Sequence, residues 1–541
     1  MAADKYFVIG IGGTGMRCLE AFAHLCAMGM FDNREIDILS IDTDTNNGNK
    51  GRSEQLIERY IRIKGMDQGK PTANSFFSAK LNLHKFAPEY AGERLTYELI
   101  SGLNSGSEET RRDNQALSDL FFDKDVQQFK LNHGYRAQTH LGSHLMYHCI
   151  VDAARKVRDG HAGRADQSLL DFINKIYQAE ERARVFIFGS IFGGTGASSI
   201  PVLPRALDDA LRIRDKNARI HPDARFGCSL LTEYFNFNVP DAAQRKEQKI
   251  IADSNNFSRN SQAALMFYDD DETVKKTYQL MYHVGWPHQT NFSMGDTSSR
   301  TVTGGDEQKN PAHITELLCA AAAHDFFNRV GSQEQHDIVY RSADWQNDAF
   351  LFDFQDFVGN EHAKDFMNRA GALLALAHIV INRERAGEGQ NGTDNLIKKF
   401  KTFGIPDYIN LPLDDAKDLD EYLKSFAFSF TASSVVPGWL FQVRQSVNGP
   451  FLFHTDALSG NAKQLRDFHF GKIFSDEAHQ FARKGKFGIG SGDPYDEFRK
   501  VIQDDQSVRP SAERQKVERL NERFLGHAYN TLTKLFNILH N

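Results

Sequence analysis

Two short glycine-rich stretches carry the clearest chemical signal in this 541-residue chain. They are Gly10-Ile11-Gly12-Gly13-Thr14-Gly15 and Gly193-Gly194-Thr195-Gly196-Ala197-Ser198. Glycines in such runs leave no Cβ in the way of a ligand and let the backbone approach it closely. A helix starting directly behind them adds unpaired N–H groups and the positive end of its dipole, which suits a phosphate. Taken alone, Gly10–Gly15 fits a dinucleotide-dependent or adenylating enzyme as well as other nucleotide folds. The second turn is the more informative one, because a dinucleotide domain needs only one. Two such turns on one sheet can grip a polyphosphate from both sides, and Thr195 adds a hydroxyl donor.

The elements around these turns predict how they are held. Tyr6–Gly10 is an apolar run ending in glycine, as expected of a buried parallel strand. Met16–Met30 has helical spacing, and Ile36–Ile41 is a second strand that runs into Asp42-Thr43-Asp44. Arg184–Gly189 is the strand before the second turn. A helix from about Ser199 follows it, with Pro201 in its first turn. Phe226–Phe235 and Tyr278–Val284 read as further strands. Leu145–Val157, Leu169–Ala179, Ala242–Tyr268 and His313–Arg329 read as helices. This alternation predicts an α/β fold, a Rossmann-like parallel sheet with helices on both faces. Residues 45–130 read as a polar, mostly helical insertion. After about residue 335 the pattern changes, with a helix at Glu361–Arg383, strands at Ser425–Thr431 and Trp439–Arg444, and a final helix from about 510. The expected organisation is a nucleotide domain over 1–330 ending in a central helix at 313–329. An α+β domain over 331–510 and a C-terminal helix over 511–541 come after it.

The second glycine stretch resembles the tubulin/FtsZ signature, GGGTGSG or GGGTGTG, and the match to the FtsZ form continues to Pro201. The first resembles the initial glycine loop of FtsZ. Ile41-Asp42-Thr43-Asp44 is similar to the family's Asn-Thr-Asp loop, and Glu233-Tyr234-Phe235-Asn236-Phe237 to its ribose-binding region. These four pieces occur in the family's order over roughly residues 5–330, closest in pattern to the divergent bacterial tubulin-like proteins. The resemblance implies a tubulin/FtsZ-type GTPase domain, GTP or GDP with Mg²⁺ as cofactors, and head-to-tail assembly into filaments with the nucleotide between subunits.

Position by position, the resemblance implies that Gly12, Gly13 and Gly15 meet the α and β phosphates, with Thr14 of the same turn among the nucleotide-binding residues. Gly193, Gly194, Thr195 and Gly196 would hold the β and γ phosphates. Asp44 would stand at the metal or the γ phosphate, and Arg136, within Gly134–Ser143, at the γ-phosphate-sensing loop. Asn238 and Arg245 fall in the ribose region. Arg17 stands near the base, and Glu316 is the candidate acceptor for guanine, with Asn310 as the alternative. A first-turn acid favoured by the helix dipole explains Glu316 equally well. The family completes hydrolysis with acids from the next subunit. No clean copy of its Asn-x-Asp-x-x-Asp loop occurs here. Of Asp337, Asp344, Asp353 and Asp356, the last is the catalytic candidate. Ordinary surface charge accounts for such a stretch at least as well. The departures are Phe192 and Ser198 in place of glycines, Arg17 in place of Asn, and Asp42 in place of Asn. They leave two alternatives open: a Rossmann-type dinucleotide-dependent or adenylating enzyme, and a non-hydrolysing scaffold that retains nucleotide.

Composition narrows the classes further. A net charge of −7 argues against a general nucleic-acid binder, which needs a basic excess. The five cysteines are scattered without a CxxC pair, a reduced, cytosolic pattern. The start of the chain has no signal-peptide pattern. The longest apolar runs, Leu317–Ala323 and Ala372–Ile381, are too short to span a bilayer. The expected setting is therefore cytoplasmic, with no membrane insertion. The expected partners are further copies of the chain and an unidentified adaptor. His140, His144 and His148 share a helix face, yet no carboxylate or cysteine completes a metal set. A packed or solvated histidine face is the favoured reading. GxxxxGK[ST] and GxSxG are absent.

Overall fold

The computed structural model describes residues 3–65, 70–88, 96–100, 106–131, 134–236, 242–247, 252–286, 290–291, 305–306, 308–329, 337–341, 344–346, 349–351, 358–381, 392–402, 404–405, 408–409, 416–430, 435–437, 494–511, 516 and 520–540. At its centre lie β1 (Lys5–Ile11), β2 (Glu35–Ile41), β3 (Lys80–Phe86), β4 (Ala183–Ser190), β5 (Arg225–Leu231), β6 (Tyr278–Val284) and β7 (Asp337–Arg341). They form one parallel sheet in the order β3-β2-β1-β4-β5-β6-β7. The order runs outward from β1 in one direction and then resumes on its other side with β4. The chain therefore reverses its winding between these two central strands. In open α/β sheets ligands bind outside the carboxyl ends of the strands at such a point.

The strands read as near-continuous apolar runs because both faces are covered. Alternate residues go to opposite layers. Val8, Ile36, Ile38, Phe186 and Phe188 enter one apolar cluster, and Phe7, Ile9, Leu39, Val185 and Ile187 enter the other. Helices α1 (Gly12–Ala27) and α2 (Gly48–Lys64) cover the first face. On the second lie α3 (Thr139–Arg158) and α4 (Arg164–Ala179). The short α5 (Thr195–Ser199) follows β4, and α6 (Leu203–Arg214) joins α3 and α4. Beyond them come α7 (Phe257–Asp270) and α8 (Ile314–Arg329), the latter packed beside α1.

The later helices α9 (Asn360–Ile381), α10 (Lys417–Ala427) and α11 (Leu520–His540) join the layer of α1 and α2. Tyr422 packs edge-on against Phe77 at 4.8 Å, and Tyr529 against Phe76 at 5.3 Å. Arg62 of α2 makes a two-pronged contact with Asp418 at 2.7 and 2.9 Å. One continuous apolar cluster thus runs from Val8 to Leu535. The portions expected as separate domains share this layer.

Several local expectations change. The span 45–130 contains β3, which pairs in register with β2 from Glu35↔Lys80 to Ile41↔Phe86. Its sequence, KLNLHKF, has three apolar residues and lies at the sheet edge, so it gave no buried-strand signal. The helix after the second glycine turn begins at Thr195 and ends before Pro201, which cannot donate to an i−4 carbonyl. The carbonyl of Ala197, which a continuing helix would have bonded to residue 201, accepts from Tyr268 Oη at 2.7 Å instead. The single helix expected at Ala242–Tyr268 is broken into Ala242–Glu247 and α7. At the restart, Asp253 caps a short turn by accepting from Asn255 N at 3.0 Å. The strand expected at Phe226–Phe235 ends at Leu231. The strand expected at Ser425–Thr431 is confined to Phe428–Phe430, because α10 runs on to Ala427. Trp439–Arg444 lies outside the described residues. Among the described residues no helix is long and apolar enough to cross a membrane.

Phe22 on α1 is fully buried, with its ring 4.8 Å from Phe31 and 5.9 Å from Phe188. Phe22→Ala is expected to cost about 3–5 kcal/mol through the cavity it leaves. A thermal-shift measurement checks this, and an unchanged midpoint would contradict the packing described.

Candidate functional site

The parallel pairing of Lys5–Gly10 with Ala183–Phe188 brings the ends of β1 and β4 side by side. Both glycine turns therefore open into the same cleft, of about 720 Å³ including its open mouth. Gly12, Gly13 and Thr14 form one wall and Gly193, Gly194, Thr195 and Gly196 the facing one. Gly12 has φ +66°, and a methyl group added to it would lie 3.0 Å from Thr195 Cβ. That contact is where the two turns touch. The α1 N-terminus has no side-chain cap on Ile11, so its first N–H groups remain for a ligand in the cleft.

A third loop, 134–137, closes the cleft on one side. A methyl on Gly194 would stand 2.8 Å from Ala137 N and 3.2 Å from Arg136 N, so a side chain there would fill the space between turn and loop. Arg136 and Ala137 both have positive φ, 47° and 64°, without being glycine. Consecutive left-handed residues of this kind are strained and persist where their surroundings impose them, commonly at functional sites. The Arg136 guanidinium lies 5.6 Å from the Phe129 ring centroid, and burial lowers its pKa.

The cleft has two chemically distinct ends. One carries Asp42, Asp44, Asn47 and Gln308. Asp42 Oδ1 accepts from Asp44 N at 3.1 Å, and Asp44 Oδ2 accepts from Gly305 N at 2.6 Å. Asn47 donates to Gln308 Oε1 at 2.6 Å, and its own oxygen caps α2. Burial, together with the neighbouring Asp44, pushes the Asp42 carboxyl up to about 7. Asp42 Oδ2 and Thr43 Oγ1 are buried without a hydrogen-bond partner. Two adjacent acids and an orphaned carboxylate oxygen suit a hard divalent cation that shares phosphate oxygens. Asp42, rather than the expected Asp44, presents the unengaged oxygen. The opposite end is aromatic. Phe192, Phe235 and Phe257 form a mutual cluster with centroids 4.9–6.1 Å apart, and all three line the cleft.

The expected site residues fall into three groups. Gly12, Gly13, Thr14, Asp44, Arg136, Gly193, Gly194, Thr195 and Gly196 are brought together around the cleft. Gly15 lies behind it, where an added methyl would meet the Phe188 carbonyl at 2.7 Å, and serves helix–strand packing. Arg17 and Glu316 are not on the cleft wall. They pair with each other at 3.2 Å, fully buried, and Glu316 also accepts from Tyr234 Oη at 2.7 Å. Glu316, expected as an acceptor for a base, has its carboxylate engaged inside the protein by Arg17, Tyr234 and His313 N. Asn310 is buried and bonds Asn49 and Arg52 through its backbone. Arg245 is exposed and pairs with Asp253 at 2.6 Å, beside the cleft-lining Ala252. Asn238, Asp353 and Asp356 lie outside the described residues. Asp337 is in β7, and Asp344 begins a small hairpin with 349–351. His140 and His144 pack against Phe122 and Tyr97, and no cluster of three metal-ligating groups exists among the described residues.

Sequence reading missed Asn47, Phe257 and Gln308. Asn47-Gly48 ahead of an amphipathic run is a helix N-cap signal that would have found the first. Phe257 was hidden in the apolar periodicity of an over-long helix, and Gln308 lies in irregular chain with no local signature.

No family model matches the chain, and no curated protein matches it. Among solved structures, CetZ from Methanosaeta thermophila strain DSM 6194 is similar over 52% of this chain and 46% of its own, at 13% identity and a TM-score of 0.23. The chain thus spans less than half the length of that protein, and a likeness this slight carries no argument about function.

Gly12→Ala is expected to destabilise by about 1–2 kcal/mol, the cost of a left-handed non-glycine residue. Gly13, whose added methyl would meet nothing closer than 3.5 Å, should tolerate alanine. Paired thermal-shift measurements check this, and equal losses would contradict the contact between the turns.

Proposed function

We propose that the chain is a nucleotide-binding protein of the tubulin/FtsZ type, holding the triphosphate of GTP between Gly12–Thr14 and Gly193–Gly196. The observation that carries this reading is the meeting of two glycine turns at the carboxyl ends of β1 and β4, where the sheet changes its winding direction. Backbone N–H groups at the start of α1 favour phosphate, and Thr195 adds a donor. In a dinucleotide site one glycine turn meets the pyrophosphate. Here the facing wall is a second such turn, so that alternative loses its support. The aromatic end, Phe192, Phe235 and Phe257, suits the nucleoside. Asp42 and Asp44, with phosphate oxygens, would hold Mg²⁺, which when bound offsets the charge of the triphosphate and of the two acids.

Assembly is part of the proposal on the strength of the sequence resemblance alone. Filaments would run head to tail, and an acid from the next copy, with Asp356 as candidate, would complete hydrolysis. A scaffold that retains nucleotide without turnover is the second reading. It is favoured by the fact that the acids on the described cleft wall, Asp42 and Asp44, both stand at the polar end.

Mass spectrometry of nucleotide released from the purified protein is expected to find GTP or GDP, and NAD or an adenylate would overturn the reading. Thr195→Ala is expected to weaken GTP binding about tenfold or more, the worth of a hydrogen bond to a charged group. Light scattering with GTP and Mg²⁺ is expected to rise with protein concentration, and persistent monomers would refute assembly.

A further inference from the structure

Behind the cleft, and outside its wall, lies a group of four charges: Arg17, Glu20, Arg52 and Glu316. Arg17 pairs with Glu20 and, at 3.2 Å, with Glu316; Arg52 Nε reaches Glu20 at 3.2 Å. Although burial works against its charge, the Arg17 guanidinium is held above its ordinary value by Glu20 and Glu316. Two cations and two anions leave the group balanced. Glu316 is the only acid in the first two turns of α8, which otherwise reads Ile-Thr-Leu-Leu-Cys-Ala-Ala-Ala-Ala. Burying ion pairs of this kind stabilises a fold little better than apolar packing of the same volume. Their geometry is therefore the more informative property.

Each tie leads to a different wall of the cleft. Arg17 is on α1, two residues beyond Gly15. Tyr234 donates to Glu316 Oε1 at 2.7 Å, and its ring packs edge-on at 5.0 Å against Phe235 of the aromatic wall. His313 N donates to Glu316 Oε2 at 3.2 Å. Arg52 Nη2 donates to the carbonyl of Asn310 at 2.7 Å, two residues beyond the cleft-lining Gln308. We infer that Glu316 is a positioning residue, which sets the glycine turn of α1, the aromatic wall and the segment 308–313 in register around the ligand without touching it. The inference rests on the nucleotide reading of the cleft.

Tyr234→Phe removes one tie without altering charge, and Glu316→Gln removes the anion. Were the network only a source of charge, Glu316→Gln would leave an uncompensated cation behind the cleft and tighten the binding of an anionic ligand. A positioning role predicts the opposite sign. Tyr422→Phe is the control, since it removes a buried hydrogen bond to His24 at the far end of the same α1. The measurement is affinity for the fluorescent analogue mant-GTP, together with the thermal midpoint of each full-length variant. Tyr234→Phe and Glu316→Gln are expected to weaken binding about tenfold, or 1.4 kcal/mol. Tyr422→Phe should bind like the wild type even where its midpoint falls as far. Affinities within twofold of wild type in both cleft-side variants, tighter binding by Glu316→Gln, or an equal loss in Tyr422→Phe would each overturn the positioning role while leaving the nucleotide reading intact. A wild-type protein that binds no mant-GTP would overturn both.

Discussion

Much of this molecule depends on the pairing of β1 with β4. Because the two strands are parallel neighbours in register, Gly10 lies opposite Phe188, and the turns that leave them emerge on the same side and at the same height. The residues at those exits must then be small, since Gly12 and Thr195 stand against each other and a side chain on Gly196 would strike the Ser190 carbonyl at 2.5 Å. The strand order makes the same demand from a distance. Reversal of winding between β1 and β4 leaves a crevice at the carboxyl ends of the strands, and the glycine turns are its lips.

The charge distribution is unusual for a site that would take a polyanion. Arg136 is the one basic residue on the described wall, and two acids sit at the polar end. Of the other arginines described nearby, Arg17 and Arg52 are occupied in the group behind the cleft and Arg245 is paired with Asp253. In the proposed reading, attraction for phosphate would come chiefly from oriented backbone N–H groups, which carry partial charge without competing for water as a lysine would. The repulsion between Asp42 and Asp44 is a cost that the proposed cation would relieve.

The central part of the fold was legible because burial on both sheet faces writes itself as apolar runs. Tyr6–Gly10, Arg184–Gly189 and Tyr278–Val284 all stand out for that reason. The glycine turns were legible because few residue types meet their steric demand. The edge strand β3 was not, since an edge needs little apolar content. The break before α7 was not, because periodicity continues across a turn whose cause is a local Asp253 cap. Glu316 illustrates a different limit: a polar residue in an apolar helix signals a buried partner, but the partner, Arg17, is 299 positions away. Composition cannot tell a ligand from an internal counter-ion.

The apolar layer over α1 and α2 has a consequence for how the chain comes into being. Phe76, Phe77 and Tyr60 are covered in part by Tyr422 and Tyr529, more than 300 residues downstream. During synthesis the half that carries the cleft emerges first, at about 5–20 residues per second. It must therefore wait for tens of seconds with one side of its core open to solvent. Contacts of such long sequence separation form late and slowly. Until α11 docks, the nascent chain offers the kind of sticky surface that chaperones hold, and a truncation that removes α11 would make that transient state permanent.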